Sequence, residues 1–335
     1  MPHHQSTAPA PGSANPQDSG PIASLETVTL GDQPQWILIR GQRRTNPVLL
    51  FIHGGPGATE MTAIREYLGR LEEDFVVVSW DQRGQGKSFA PGLAPETMTH
   101  AQILSDAHEL ILQLNQRFGS RQVVIVAHSW GTITGTMLAQ RYPELVAAYV
   151  GVSQWTDGIE RERASYALIL DWAKKAGKRR AVRELEALGA PPYASLQEVG
   201  KQKSWLVKSG GMLFGQRGMS LFFGPLLRSK EYGLFDKLNF MRGFMVAMER
   251  LWPEAMEIDL TQRVPHLAVP VYFVSGRHDF NMPLPLVEAY FQQLQAPYKE
   301  HVVFEQSAHA ACFEEPERFV SLMQRIKQAC CAAAR

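Results

Sequence analysis

The chain has 335 residues, of which 34 are Lys or Arg and 33 are Asp or Glu, so its net charge is +1, and 45% of its residues are hydrophobic. A nucleic-acid-binding protein needs a large basic excess, and a disordered chain is poorer in apolar residues, so this composition excludes both classes and we expect no nucleic-acid partner. A globular chain of this length buries roughly three quarters of the surface that its unfolded form exposes, which predicts one or two domains.

The N-terminal segment, residues 1–22, is predicted to be a disordered tail, because its first 21 residues lack Lys, Arg and an apolar run and so do not resemble a signal peptide. No stretch of about 18 consecutive apolar residues exists in the chain, so we expect no membrane partner. Three cysteines, Cys312, Cys330 and Cys331, lie within the last 24 residues and cannot cross-link distant parts of the fold. A reduced, cytoplasmic setting is therefore expected.

Short apolar runs follow from residue 23 onward. SLETVTL and WILIR flank the turn-prone GDQP and predict two strands joined by a turn. The segments at 47–54, 74–84 and 121–131 each contain at least four consecutive apolar residues, which is typical of strands buried on both faces of a parallel sheet. Residues 100–119 have helical spacing and end at Gly119. The alternation predicts an α/β fold with a mostly parallel sheet flanked by helices, whose ligands bind at the carboxyl ends of the strands.

The alternation lapses between the strand at 147–155 and the strand at 269–276. Residues 155–262 are mainly helical in pattern and contain four of the seven tryptophans and six of the twelve methionines. We interpret them as an inserted helical cap on a core formed by residues 23–154 and 263–335. Most of these side chains should form the core of the cap, and some should line an adaptable apolar pocket beneath it.

The segment AHSWG, residues 127–131, ends one predicted strand and precedes a helical run. A serine becomes an effective nucleophile when it projects from a tight strand-to-helix turn of the pattern G-x-S-x-G, so Ser129 is the candidate nucleophile. Ala127 stands where the pattern has its first glycine and adds one methyl group. The alternative is an ordinary serine N-cap between strand and helix.

HGGPG, residues 53–57, follows another predicted strand. Consecutive glycines let backbone N–H groups turn towards a substrate oxygen, although an ordinary glycine-rich turn has the same composition. Because the segment precedes Ser129 in the chain, it matches the position of half an oxyanion hole. The predicted donors are the N–H groups of Gly55 and Trp130.

A base and an orienting acid are expected in the chain order Ser, Asp or Glu, His. Asp279 and His309 each come just after a predicted strand. The other histidines near strand ends precede the acid, which favours His309. Glu305 is the rival acid, but it lies inside the last strand, so Asp279 is preferred.

Taken together, HGGPG, DQRGQGKS (81–88), HSWG, an insertion before GRHD and a final histidine resemble the α/β-hydrolase superfamily, and specifically the proline iminopeptidase-like serine hydrolases. The similarity spans about residues 25–330. It implies an α/β-hydrolase fold with a helical cap, Ser129, Asp279 and His309 as a catalytic triad, and release of an N-terminal proline as the type activity. No metal or organic cofactor is needed, and Asp81 and Arg83 are expected to brace the loops around the site.

The substrate class depends on the cap. An aminopeptidase must hold a substrate ammonium, and removing that ion from water unpaired costs several kcal/mol, so an acid should reach the pocket. Candidates are Asp157, Glu160 and Glu249. If none does, a carboxylesterase of small apolar esters becomes the better interpretation, and a non-enzymatic ligand-binding scaffold is a third. The expected partner is a small molecule or a short peptide.

Overall fold

The computed structural model describes residues 19–90, 92–215 and 218–333. Within them, eight strands form one sheet in the order β1-β2-β4-β3-β5-β6-β7-β8. The strands are β1 (Ile22–Leu30), β2 (Gln33–Gly41), β3 (Val48–Ile52), β4 (Val76–Trp80), β5 (Val123–His128), β6 (Val146–Val152), β7 (Val271–Gly276) and β8 (Lys299–Phe304).

The sheet is antiparallel at one edge and parallel elsewhere. Strand β2 pairs antiparallel with β1 and with β4, whereas the pairs from β4 through β3, β5, β6 and β7 to β8 are all parallel. The predicted mostly parallel sheet is therefore confirmed. The first turn is shorter than GDQP, because only Gly31 and Asp32 have positive φ angles, and Gln33 already pairs with Leu30.

Helices of the core cover both faces of the sheet. They are α1 (Met61–Tyr67), α2 (His100–Phe118), α3 (Gly131–Arg141), α10 (Leu284–Gln293), α11 (Ala311–Glu314) and α12 (Pro316–Ala333). Alternate residues of β3 enter different hydrophobic clusters, Leu50 on one face and Leu49 on the other, because successive strand side chains point to opposite faces. Helix α2 matches the prediction closely and ends at Gly119, whose φ is 64°.

Residues 153–270, the segment between β6 and β7, are called the insert and contain a further set of helices. They are α4 (Gly158–Lys175), α5 (Arg179–Leu188), α6 (Leu196–Ser209), α7 (Ser220–Arg228), α8 (Leu234–Met256) and α9 (Leu260–Arg263). Helices α4, α5 and α6 share a small buried cluster of their own, which includes Ile169, Leu185 and Leu206. The predicted cap, residues 155–262, covers nearly the same segment, and its boundaries as a domain stay a prediction.

The N-terminal prediction is only partly within the described residues. Strand β1 begins at Ile22, one residue inside the predicted tail, and residues 1–18 of that tail lie outside the part of the chain that the structure describes. Among the described helices, none combines the length and the apolar character needed to cross a membrane.

Candidate active site

Ser129 occupies a sharp turn between β5 and α3. Its φ is 54°, a left-handed conformation that is strained for a residue with a side chain. The Ser129 N–H donates to the carbonyl of Val152 at 2.9 Å, which ties the turn to the end of the neighbouring strand β6. A Cβ atom at Gly131 would lie 2.4 Å from the His53 carbonyl oxygen, so only glycine fits there. The conformation raises the Ser129 hydroxyl above the carboxyl edge of the sheet.

Ala127, the departure from the glycine pattern, is matched by a glycine in the following helix. A Cβ atom added at Gly135 would lie 2.7 Å from the Ala127 methyl carbon. The helix therefore approaches the strand closely because its own residue lacks a side chain. The strand therefore carries the methyl group and the helix carries the glycine, so strand and helix can still pack closely at the turn of Ser129.

The structure brings Ser129, His309 and Asp279 into one chain of hydrogen bonds. His309 Nε2 lies 2.8 Å from Ser129 Oγ, and His309 Nδ1 lies 3.0 Å from Asp279 Oδ2. Asp279 Oδ1 accepts the N–H groups of Asn281 and Met282, both at 2.8 Å. The three predicted residues are 6%, 6% and 3% exposed, respectively. One carboxylate oxygen is thus fixed by backbone, and the other orients the imidazole.

The loop that carries His309 is held from two sides. The His309 carbonyl oxygen accepts hydrogen bonds from Ser153 Oγ and His128 Nε2, both at 2.8 Å. The His309 N–H donates to the carbonyl of Met212, a residue of the insert, at 3.2 Å. Burial lowers the pKa of His309, and the Asp279 carboxylate opposes that shift without cancelling it. The imidazole is therefore neutral near pH 7, as a general base must be.

Asn281 makes a second contact with the imidazole. Lys203 Nζ donates to Asn281 Oδ1 at 2.6 Å, and because an ammonium group has only donors, this contact assigns the amide oxygen. Asn281 Nδ2 then faces His309 Nε2 at 3.1 Å and donates to it. Nε2 consequently accepts from two groups, the Ser129 hydroxyl and the Asn281 amide.

The HGGPG loop lies beside Ser129. A Cβ atom at Gly54 would lie 3.0 Å from Ser129 Cβ, and Gly55 has a φ of 122°, which glycine tolerates. Among the described residues, neither the Gly55 N–H nor the Trp130 N–H has a protein acceptor. The two predicted oxyanion donors thus have free N–H groups on the two loops that meet at Ser129.

The hydroxyl of Ser129 faces a cavity of about 360 Å³ between the sheet edge and the insert. Its lining is mainly apolar and comes largely from the insert; it includes Trp155, Met212, Phe222, Phe244, Met248 and Trp252. His309 and Asn281 line it from the core side.

The acids predicted to bind an amine are elsewhere. Glu160 and Glu249 are exposed and do not line the cavity, and Asp157 caps α4 by accepting the Glu160 N–H at 2.5 Å. Glu60 lines the cavity in their place and is 3% exposed. It belongs to the loop after HGGPG and not to the cap, where the sequence predicts the acid.

Glu60 is paired with a buried histidine. His128 Nδ1 lies 2.5 Å from Glu60 Oε1, and His128 Nε2 donates to the His309 carbonyl, because a carbonyl oxygen only accepts. Burial lowers the pKa of His128, but the Glu60 carboxylate outweighs it, and the pKa rises above its usual value. Glu60 Oε2 is buried without a partner among the described residues. Glu60 thus lines the cavity and has one carboxylate oxygen without a hydrogen-bond partner in the described part of the chain.

Asp81 and Arg83, which are expected to brace the loops around the site, both make buried polar contacts. Arg83 forms a bidentate, buried ion pair with Asp106, at 2.8 and 2.9 Å, and also bonds the carbonyls of the β1–β2 turn. Asp81 accepts the Lys87 N–H at 2.7 Å and the hydroxyl of Tyr232 in the insert. Burial raises the pKa of Asp81 to about 7, against the lowering effect of those hydrogen bonds.

No three His, Cys, Asp or Glu side chains are grouped to hold a metal ion in residues 19–90, 92–215 and 218–333. The polar groups beside Ser129 are its hydroxyl, the His309 imidazole and the Asp279 carboxylate, and a hydrogen-bonded chain of this kind can transfer a proton. Fold and site together define a hydrolase of the α/β class.

Comparison with known proteins gives the family. The model of the α/β-hydrolase fold matches residues 47–316, and the chain belongs to that family. It is 31% identical to the probable aminopeptidase YbaC of Bacillus subtilis strain 168, over 91% of this chain and 96% of that protein. It is 24% identical to a proline iminopeptidase of Heyndrickxia coagulans, over 83% of this chain and 88% of that protein.

A solved structure shows the same architecture. A proline iminopeptidase-related protein from Thermus thermophilus aligns with a TM-score of 0.62 at 20% identity, over 92% of this chain and 98% of that one. The predicted family resemblance is therefore confirmed, and a hydrolase activity is supported by the family and by the relatives.

Proposed function

We propose that this protein is a serine hydrolase that acts through an acyl-enzyme and releases an N-terminal residue from small peptides or amides, in the manner of a proline iminopeptidase. The observation that carries the proposal is the hydrogen-bond chain from Ser129 through His309 to Asp279, with distances of 2.8 and 3.0 Å, beside the cavity between the sheet edge and the insert. A nucleophile, its base and an orienting acid in that order are the requirement for acyl transfer.

In the first step, Ser129 Oγ bonds to the acyl carbon while His309 Nε2 takes the hydroxyl proton. The electron pair of the carbonyl moves to its oxygen, and the N–H groups of Gly55 and Trp130 stabilise that charge, each by about 10²- to 10³-fold in rate. The bond to the leaving nitrogen then breaks, and the nitrogen takes the proton from His309. A water molecule, deprotonated by His309, releases the acyl group in the same way. Asp279 holds the imidazole tautomer and stabilises its charged form.

Glu60 supports a substrate that carries a free N-terminal amine. Glu60 lines the cavity, and its Oε2 is a buried acceptor with no partner among the described residues. A buried acceptor without a donor costs about 1–3 kcal/mol. A substrate ammonium would donate to it. The probable aminopeptidase from Bacillus subtilis, 31% identical over 91% of this chain, supports the same class.

The second candidate is a carboxylesterase of small apolar esters. The observation in its favour is that the cavity lining is mainly apolar and that Glu160 and Glu249 are exposed outside it. Glu60 is already neutralised by His128, so it attracts a substrate cation less strongly than a free carboxylate. An ester needs no cation partner and would use the same three reacting side chains.

We further propose that residues 155–262 form a cap domain that closes the cavity over a core of residues 23–154 and 263–335. The separate buried cluster of α4, α5 and α6 supports this division. So does the cavity itself, whose lining joins insert side chains to the loops of the sheet edge.

The test is a panel of proline p-nitroanilide, alanine p-nitroanilide and p-nitrophenyl butyrate, assayed with the native protein, with Ser129→Ala and with the surface control Ser204→Ala. Turnover of a nitroanilide that Ser129→Ala abolishes and Ser204→Ala retains is the expected result. Turnover of the ester alone favours the esterase. Absence of turnover, together with absence of labelling by a fluorophosphonate, overturns the proposal and leaves the binding scaffold.

A further inference from the structure

Two cationic side chains of the insert line the apolar cavity. Arg161 of α4 is 1% exposed, and Lys203 of α6 is also largely shielded from solvent. An isolated buried cation is costly, so each needs acceptors inside the protein or on a ligand.

Arg161 and Lys203 share a single carboxylate between them. Glu162 Oε1 accepts from both Arg161 Nη1 and Lys203 Nζ at 2.6 Å, so one carboxylate serves two cations. Asp279 is occupied by His309 and by backbone N–H groups, and Asp157 caps α4. The pair of cations therefore retains the capacity to hold another anion.

The unused donors of Arg161 lie on one edge of its guanidinium. Nε and Nη2 are buried with no acceptor among the described residues. The group stacks on the indole of Trp155, 3.7 Å from the ring centroid, which fixes its plane. Adjacent N–H groups of a planar guanidinium match the two oxygens of a carboxylate, and such charge-assisted pairs are stronger than neutral hydrogen bonds.

Asn281 connects the cation Lys203 to the imidazole of His309. Lys203 bonds Asn281 Oδ1 at 2.6 Å, and the other end of the same amide is 3.1 Å from His309 Nε2. Nε2 is the atom that returns a proton to the leaving nitrogen or oxygen. A carboxylate two bonds from that leaving atom would lie near Lys203, and Arg161 is beside Lys203 because both bond Glu162 Oε1 at 2.6 Å.

We propose that Arg161 and Lys203 form a carboxylate subsite for the leaving group, so that the preferred substrates carry a free carboxylate next to the scissile bond. This inference rests on the proposed serine hydrolase function and narrows its substrate class. Two sources have this chemistry: the C-terminal residue of a dipeptide, and a 2-hydroxy acid esterified at its hydroxyl. Longer peptides and amidated dipeptides lack the carboxylate at that distance.

The experiment compares matched substrates in the native protein. The peptide pair is Leu-Leu and Leu-Leu-amide, and the ester pair is O-butyryl glycolate and O-butyryl glycolamide. We expect kcat/KM to be roughly tenfold to hundredfold higher for the carboxylate member of a pair, the range of a charge-assisted hydrogen bond. A preference within the peptide pair identifies the dipeptide source, and a preference within the ester pair identifies the other.

Variants assign the preference to the two side chains. Arg161→Met, Arg161→Lys and Lys203→Met should lower the ratio of the two kcat/KM values towards one, whereas Lys175→Met, which removes an exposed cation of the same helix, should keep it. The ratio of the two kcat/KM values does not depend on the fraction of folded enzyme. It can therefore be measured even if Arg161→Met folds poorly. Arg161→Lys keeps the charge and removes the planar edge, so it should lose most of the preference.

The inference is overturned by a native ratio of one or below in both pairs, or by variants that keep the native ratio. Ser129→Ala separates this failure from failure of the proposed function. If Ser129→Ala loses hydrolysis of p-nitrophenyl butyrate while the native ratio is one, only the subsite is wrong. If Ser129→Ala remains as active as the native protein, the proposed function itself is wrong.

Discussion

The two sides of the cavity are built differently. On the core side, His309 and Asp279 are held largely by backbone groups, such as the N–H of Met282 on Asp279 Oδ1 at 2.8 Å. On the insert side, the wall consists mostly of Met, Phe and Trp side chains, which adapt to the shape of a ligand. Under the proposed function, the residues at the sheet edge carry out the reaction, and the side chains of the insert select the substrate.

The largest expected effect tests the core side. Asp279→Asn should lower kcat/KM by about 10⁴-fold, because an amide at this position disturbs the tautomer that His309 needs as a base. The measurement is hydrolysis of whichever panel substrate the native protein prefers. Thermal unfolding should show a folded variant.

Glu305→Gln is the matched control, since Glu305 is the rival acid and forms an exposed ion pair with Arg277. It should keep activity within about twofold, because exposed pairs contribute about 1 kcal/mol or less. A larger loss in Glu305→Gln than in Asp279→Asn would reverse the assignment of the acid.

The next effect concerns stability beneath the nucleophile. Gly135→Ala should lower the free energy of unfolding by about 1–3 kcal/mol, the usual range for overpacking, since its methyl would meet Ala127 Cβ at 2.7 Å and Tyr149 Cε2 at 2.8 Å. Adding Ala127→Gly should recover part of that loss. Urea denaturation of the single and double variants measures the coupling.

Gly200→Ala is the control for this cycle, because a Cβ atom there meets nothing within 4 Å. It should be neutral or slightly stabilising, by about 0.4–1 kcal/mol. Strict additivity of Gly135→Ala and Ala127→Gly would show that the two positions do not compensate each other.

A smaller effect tests the insert side. Phe222→Ala removes an aromatic wall of the cavity and should raise KM for an apolar substrate by about tenfold with little change in kcat, the loss of a contact worth about 1.5 kcal/mol. Phe235→Ala, at a 79% exposed position of α8, is the control and should leave both constants unchanged. A fall in kcat as large as the rise in KM would break the separation between the two sides.

The smallest effect concerns pH. Burial lowers the pKa of His309, and the charges of His128 and Lys203 lower it further, so the acid limb of kcat/KM should fall below pH 6.5. Lys203→Met removes a cation that disfavours protonated His309, so the limb should move to higher pH, by less than about one unit. An acid limb above pH 6.5 in the native protein would contradict this description of the base.

Much of the core could be predicted from the sequence, because buried parallel strands are continuous apolar runs and their carboxyl ends meet at one edge. That rule is sufficient to place Ser129 near Asp279 and His309, although Asp279 lies 150 residues and His309 180 residues beyond Ser129 in the chain. HGGPG could be predicted as well, because consecutive glycines directly after a buried strand indicate a tight turn at the same edge of the sheet.

The insert side could not be predicted in this way. Helical periodicity indicates that a helix forms, but the neighbour that each face meets depends on packing between helices. Glu160 and Glu162 are two positions apart on α4, yet the first is exposed and the second is buried against Lys203. Glu60 was missed because its role depends on His128, a partner 68 residues away.

The backbone hydrogen bonds between the insert and the loop of His309 restrict how a substrate can enter the site and how a product can leave it. The carbonyls of Gly211 and Met212 accept the N–H groups of Phe280 and His309, at 3.0 and 3.2 Å, beside both the acid and the base. Movement of the insert away from these loops would break both bonds, which help to hold Asp279 and His309 in place. Phe223, a lining residue of the cavity, is 39% exposed, so the cavity wall also reaches the protein surface at a point where neither bond has to break.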